Sequence, residues 1–273
     1  MTIDRYVLFG NPVNHSKSPL IHAQFAAQTG QTLDYQTHAA PLDGFPAALR
    51  AFVQGGGRGA NVTAPFKVQA FEAADEVLER GRLAGAVNAL KIDADGRVWA
   101  DNFDGLGLVN DIQHNLGLPL AGKRVLLLGA GGAARGALLP FLTQAPATLV
   151  VANRDGAKSA ALAQQFAAHG PVQAAAYADL HSETFDVVVN ATSASLHGEL
   201  PPVMPTVFGR DALAYELVYG KGLTPFLRLA QNAGVRRIAD GVGMLVEQAA
   251  EAFEWWRGVR PDTRAVIQQL TVP

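Results

Sequence analysis

The chain contains no cysteine, which removes disulfides, thiolate nucleophiles and zinc-thiolate centres together and is compatible with a reducing compartment. An excess of either charge is missing too. Its 22 basic residues against 24 acidic ones leave a formal charge of -2, so no general field draws it to nucleic acid or to an anionic membrane. An anionic ligand must therefore be held locally. No apolar run approaches the roughly 18 residues of a membrane span. The opening MTIDRYVLFGNPVN breaks its short apolar run with Asn and Pro, unlike a signal peptide. A cytoplasmic protein is the expectation. Repeats and low-complexity tracts are lacking, and the seven histidines include no HExxH or similarly spaced pair, so no metal site is expected.

What is present is 273 residues, 49% of them hydrophobic, enough for one large or two ordinary domains with real cores. Short β-branched or aliphatic runs alternate with Ala/Leu-rich stretches of helical period, the pattern of α/β architecture with largely parallel sheets. A first set of strands is expected at Tyr6 to Phe9, Leu33 to His38, Gly59 to Val62, Ala86 to Ile92 and Arg97 to Ala100, the last two joined as a hairpin through Asp95-Gly96. A helix opening at Ser18-Pro19, with Ser18 as a possible cap, should close at Gly30. A second set begins with KRVLLLG at Lys123 and continues through TLVVA at Thr148, FDVVVNA at Phe185, LAYELVY at Leu213 and VRRIA near Val235. A helix from Asp104 to Leu116 would join the sets. The expected organisation is two domains with a cleft between them.

The clearest chemical signal opens the second set. VLLLGAGGAARGALLPFL runs from an apolar strand through Gly129, Ala130, Gly131, Gly132, Ala133 and Ala134 into a helix. Glycines there allow a tight turn and close approach of backbone amides to a pyrophosphate, and the helix N-terminus adds partial positive charge. A turn without a ligand is the plain alternative. The next strand bears on the cofactor. An NAD-binding unit would end it with an acidic residue for the ribose hydroxyls, whereas TLVVA is followed by Asn153 and Arg154, with Lys158 a helical turn later, which suits a 2′-phosphate. Asp155 either caps the helix at Gly156 or faces that phosphate and repels it. The capping role implies NADP.

In the first domain, Ser16 and Ser18 offer two hydroxyls in the loop NPVNHSKSP. GANVTAPFK presents Asn61, Thr63 and Lys67 beyond a strand's carboxyl end, where open parallel sheets bind ligands. GAVNAL adds Asn88, and DNFDG adds Asn102 and Asp104. Singly these read as turn residues, caps or solvated charge. Together they form a set of amides and hydroxyls with one ammonium and one carboxylate, suited to a small polyhydroxylated acid.

NPVNHSKSP, GANVTAPFK, GAVNAL, DNFDG, GAGGAARG, NATS, YELVYGKGLTPFL and DGVGMLVEQAA, in this order over nearly the whole chain, closely resemble the shikimate dehydrogenase family. The resemblance implies a substrate-binding and catalytic domain over residues 1–104, completed by C-terminal helices at 241–273, and a Rossmann-type NADP domain over 105–240. It implies reduction of 3-dehydroshikimate to shikimate by NADPH, with Lys67 and Asp104 as the catalytic pair. Ser16 and Ser18 would hold the substrate carboxylate, Asn61, Thr63, Asn88 and Gln248 the ring and its hydroxyls, and Tyr219 would lie near the substrate. Thr192 and Gly241 would join the glycine turn at the cofactor. Partners would be small molecules, and the protein a monomer or homodimer. Two positions depart from the family: Phe103 and Asp155 each stand where threonine is usual. An NAD-using quinate/shikimate dehydrogenase is the nearest alternative. A dinucleotide sensor without turnover is a second, but it would not need both Lys67 and Asp104.

Overall fold

The computed structural model describes residues 3–271. The chain divides into two compact units, one running to Gly107 and including Val246–Gln269, the other spanning Leu108–Leu245.

In the first unit the elements follow in the order β1 (Asp4–Gly10), α1 (Ser18–Thr29), β2 (Leu33–Ala39), α2 (Phe45–Gln54), β3 (Gly57–Val62), α3 (Lys67–Ala73), β4 (Glu76–Val77), α4 (Glu79–Ala84), β5 (Ala89–Ile92), β6 (Val98–Asp101) and the start of α5 (Asp104–Asn110). Six strands make one sheet, ordered β2-β1-β3-β5-β6-β4. The β1–β2 and β1–β3 pairs are parallel, while β5 is antiparallel to both β3 and β6, so the Asp95-Gly96 hairpin forms as its sequence predicts. Val7, Phe9, Phe45, Val62, Phe66 and Leu90 pack as one core on a sheet face. Gly30 ends α1 in the left-handed region (φ 66°), donating back to the Ala26 and Ala27 carbonyls.

Two expectations are corrected in this unit. Ser18 does not cap α1: it is the first helical residue, Lys17 precedes it in the cap position without a capping side chain, and the Ser16 hydroxyl accepts the Ser18 N–H at 3.1 Å. The expected strand from Ala86 begins only at Ala89, because the Val87 N–H goes to the Lys67 carbonyl instead of the ladder. The two-residue β4 is too short to show a period.

The second unit continues from α5 into a single π turn at Asp111–Asn115, so the expected helix to Leu116 is not regular. Asp111 opens that turn, and its carboxylate accepts from Asn115 Nδ2 at 2.9 Å and from the Tyr215 hydroxyl at 2.7 Å. It also lies 2.1 Å from where a Cβ on Gly243 would be, which requires glycine there.

The following elements are β7 (Arg124–Leu128), α6 (Gly132–Leu142), β8 (Thr148–Asn153), α7 (Gly156–Phe166), β9 (Val172–Ala176), β10 (Phe185–Asn190), β11 (Phe208–Glu216), α8 (Pro225–Asn232) and β12 (Arg237–Ala239). All its strands pair in parallel, in the order β12-β11-β10-β7-β8-β9. That is the doubly wound order, in which the direction of winding reverses between β7 and β10. β7 and β10 carry almost continuous Leu or Val because both faces of the sheet are covered. β9, VQAAA, was not expected as a strand: its alanines carry no strand preference, and its register on β8 holds it in place.

The long helix α9 (Val242–Arg257) leads back to the first unit, followed by α10 (Arg264–Leu270). There the Trp256 indole N–H donates to the Leu90 carbonyl at 2.9 Å, its ring packs 4.8 Å from Tyr6, and Arg257 pairs with Asp4. Gly59 makes room for this indole, since a Cβ there would lie 2.7 Å from its nitrogen. No helix among the described residues is long and apolar enough to cross a membrane.

Candidate active site

Lys67 is the first residue of α3 and Asp104 the first of α5. A turn at Thr63, closed by the Phe66 N–H on the Thr63 carbonyl, carries the chain from β3 to that lysine. Asp104 is placed by Asn102, whose side-chain oxygen accepts the Asp104 N–H at 3.0 Å and whose amide donates to the Ala86 carbonyl. Asn102 is thereby a structural brace.

Lys67 Nζ donates to Asp104 Oδ2 at 2.6 Å. Both groups are partly buried, with Lys67 retaining about a third of its side-chain exposure (32%), so the ammonium is reachable by a ligand. Asp104 Oδ1 accepts from Asn88 Nδ2 at 2.8 Å, and the other Asn88 amide hydrogen goes to Gln248 Oε1 at 3.0 Å. The Asn88 oxygen in turn accepts the Phe103 N–H. Asn88 thus orients the carboxylate that holds the lysine, and Gln248 joins the cluster from α9. Phe103 itself turns inward, nearly fully buried and edge-on to Trp255 at 5.5 Å, so its ring belongs to the packing of the unit.

A second cluster lies around Asn61 on β3. Its Oδ1 accepts from the Tyr35 hydroxyl at 2.7 Å and from His22 Nε2 at 3.1 Å, while its Nδ2 donates to the Asn88 carbonyl at 3.3 Å. Ser18 hydrogen-bonds the same tyrosine, and the Ser16 hydroxyl donates to Ser18 Oγ at 3.2 Å. Burial pushes the His22 imidazole down to about 3 and the Tyr35 phenol well up, so both are neutral at physiological pH. Ser16, Ser18, Asn61, Asn88, Asp104, Lys67 and Gln248 are therefore linked in one hydrogen-bonded set, with Thr63 directly following β3. His22 and Tyr35 were not expected. Read along the chain, both fall in ordinary helix and strand positions.

In the second unit, Gly129 takes a left-handed backbone (φ 106°) between β7 and α6, with the Ala191 carbonyl 3.1 Å from where a Cβ would sit. A Cβ on Gly131 or Gly132 would meet nothing within 4 Å, so space lies open beside the first turn of α6. The first N–H groups of a helix have no acceptor of their own, and those over Gly132, Ala133 and Ala134 are suited to an anion. Ala130 precedes them in the turn. At the end of β8, Asp155 caps α7 by accepting the Ala157 N–H at 3.1 Å, and Asn153 donates to the Asp155 carbonyl. Arg154 and Lys158 are exposed beside it, and among the described residues no carboxylate pairs with Arg154. This donor set fits a dinucleotide bearing an additional phosphate.

Thr192 follows β10, donating to Asn190 Oδ1 at 2.7 Å. Asn190 also donates to Glu216, a fully buried carboxylate that accepts from Ser195 and Thr224 as well; burial raises its pKa, opposed by these donors. Glu216 had no signal in the sequence, where it is one acidic residue within an apolar strand. Gly241 packs against the chain after β11, for a Cβ would lie 2.2 Å from the Leu217 carbonyl. Tyr219 is 44% exposed in the turn after β11, within the second unit and outside the hydrogen-bonded set of the first.

Residues 8–90 match the shikimate dehydrogenase substrate binding domain, 111–197 the shikimate/quinate 5-dehydrogenase family, and 241–271 the shikimate 5′-dehydrogenase C-terminal domain. A shikimate dehydrogenase (NADP(+)) from Aromatoleum aromaticum is 55% identical over 99% of this chain and 98% of its own. The chain belongs to the shikimate dehydrogenase family. Among solved structures similar to this family member, an Ael1 enzyme from Pseudomonas putida is 60% identical with a TM-score of 0.96, covering 99% of each chain. Shikimate 5-dehydrogenase from Thermus thermophilus, solved with NADP(H) and shikimate, is 30% identical with a TM-score of 0.86, covering 97% of this chain and 98% of that one.

Proposed function

We propose that this protein is an NADP-dependent shikimate dehydrogenase, interconverting 3-dehydroshikimate and shikimate. The observation that carries the chemistry is the Lys67 ammonium held 2.6 Å from Asp104 within a set of amides and hydroxyls. NADPH supplies the hydride when bound. Lys67 donates the proton to the ketone oxygen as negative charge develops there, so one hydride and one proton complete the alcohol. In the reverse direction the neutral amine takes the proton back. Asp104 holds the ammonium toward the substrate, and Asn88 holds Asp104.

Ser16 and Ser18 bind the substrate carboxylate through hydroxyls whose mutual bonds can be exchanged for bonds to an anion. Asn61, Thr63, Asn88 and Gln248 bind the ring and its hydroxyls, and Tyr219 lies near the substrate. These residues make residues 1–104 with 241–273 the substrate and catalytic domain and 105–240 the NADP domain. The turn from Gly129 to Ala134 holds the pyrophosphate. Arg154, assisted by Asn153 and Lys158, holds the 2′-phosphate, because Asp155 spends its carboxylate on the helix cap. Thr192 and Gly241 complete the nicotinamide end. The protein works in the cytoplasm as a monomer or homodimer.

Mixing the purified protein with shikimate and NADP, and in parallel with NAD and with quinate, while following absorbance of the reduced cofactor, tests this. Turnover of shikimate fastest with NADP is expected. No turnover with any pair would overturn the enzymatic reading, and preference for NAD would overturn the role of Arg154.

A further inference from the structure

We infer that His22 and Tyr35 are positioning residues that fix the polarity of the Asn61 amide, so that Asn61 can offer the substrate only an N–H donor. This rests on the assignment of Asn61 to the substrate site.

An asparagine amide can be turned over with little change of shape, exchanging its oxygen and its nitrogen. At Asn61 the surroundings permit one orientation. The Asn88 carbonyl, 3.3 Å from the nitrogen, can only accept, so it needs the NH2 group facing it. That leaves Oδ1 toward Tyr35 and His22, each of which can donate. The two bonds occupy both lone pairs of the oxygen, and no acceptor capacity remains for a ligand. One amide hydrogen goes to Asn88, and the second is left for a substrate oxygen.

This arrangement also determines the histidine tautomer. His22 Nε2 must carry the hydrogen that reaches Asn61. Its Nδ1 is buried with no protein partner, and a bare lone pair there costs less than a buried N–H with nothing to receive it. The ring cannot swing to another partner. It stacks on Tyr35 at 4.2 Å and 12°, and is walled by Phe25, Phe253 and Trp256. The stack also ties the two donors together, so they approach the same oxygen from a rigid pair of rings.

The chemical consequence is selectivity. A donor-only Asn61 binds a hydroxyl through its oxygen and disfavours a substrate group that presents only hydrogens. Tyr35→Phe keeps the stacked ring and removes one of the two donors that hold the amide, as His22→Phe removes the other. Each should raise the KM for shikimate about three- to tenfold, with kcat and the KM for NADP within twofold, because a lost binding donor acts on the ground and transition states alike. Tyr35 also bonds Ser18, so the test is made in a Ser18→Ala background, where Tyr35→Phe should still raise the KM and should add nothing once Asn61→Ala is present.

The decisive experiment measures these constants for wild type and, in a Ser18→Ala background, for Tyr35→Phe, Asn61→Ala and the two together, with 15N NMR of the histidine-labelled wild type to read the His22 tautomer. An Nε2–H imidazole with a KM effect that vanishes without Asn61 supports the inference. An Nδ1–H imidazole, an unchanged KM in Tyr35→Phe, or an equal rise with and without Asn61 overturns it. A wild type active on shikimate with any of those results overturns this inference alone. A wild type inactive on shikimate overturns the functional assignment and this inference with it. Should His22→Phe fail to fold, the tyrosine series and the NMR measurement still decide.

Discussion

Lys67 and Asp104 each stand at the first position of a helix, and their side chains meet at 2.6 Å, although 36 residues of chain lie between them in the sequence. The carboxylate divides its two oxygens between the lysine and Asn88, so the ammonium has a fixed direction without being sealed from a ligand. Replacing Lys67 should therefore separate chemistry from binding. Lys67→Met keeps much of the apolar stem and loses the charge, and turnover is expected to fall by about 10² to 10⁴-fold while shikimate affinity, measured by calorimetry, changes far less. Near-normal turnover in the folded variant would leave Lys67 as a binding residue.

Arg154 carries the choice of cofactor. Arg154→Ala should weaken NADP binding by about 1.5 to 3 kcal/mol, roughly tenfold to a hundredfold, the scale of a charge-assisted hydrogen bond. Titration with NAD should be almost unaffected. Equal losses with both dinucleotides would make the arginine structural.

Ser16→Ala and Ser18→Ala should each raise the Michaelis constant for shikimate more than they lower kcat, because a carboxylate is held alike before and during hydride transfer. Since Ser18 makes no cap bond to α1, its replacement should cost no more thermal stability than that of Ser16. A several-degree drop in Tm for Ser18→Ala alone, with unaltered kinetics, would contradict this.

The buried imidazole of His22 links stability to acidity. Its pKa is about 3 in the fold against an ordinary value of 6.5, so below pH 6.5 the unfolded chain takes up a proton that the folded one refuses. Stability is lost as the pH falls through 6.5 toward 3, by about 2 kcal/mol at pH 5. Urea unfolding at pH 7 and pH 5 should show a larger drop for wild type than for His22→Phe, by about that amount. Identical drops would mean that the ring is already solvated and charged at pH 5.

Much of this was legible along the chain because the informative residues announce themselves locally. The glycine turn after β7, the Asp95-Gly96 hairpin and the Gly30 stop on α1 are each dictated by backbone conformations that few residues adopt. The Asp155 cap is a choice between two roles that sequence leaves open and the Ala157 N–H resolves. What could not be read were features that depend on pairing across the fold. β9 is held by its neighbour and not by its own alanines. His22 and Tyr35 gain meaning only because α1 and β2 bring them to one oxygen of Asn61. Glu216 looks like a flaw in an apolar strand until Asn190, Ser195 and Thr224 surround it.

The anchoring of Trp256 and Arg257 onto β1 and β5 has a consequence for how the protein is made. The first sheet to leave the ribosome lacks the indole that fills the space over Gly59 and the arginine that meets Asp4. Both are synthesised only after the entire nucleotide unit, which at ordinary elongation rates takes on the order of ten seconds. At the end of that interval the later-born unit has all its strands and can close its own sheet, while the earlier one still waits with Tyr6 uncovered and the Leu90 carbonyl without its indole donor. The half of the protein that begins first is thus the half that finishes last, and a nascent chain stalled before α9 would expose that apolar seam to chaperones.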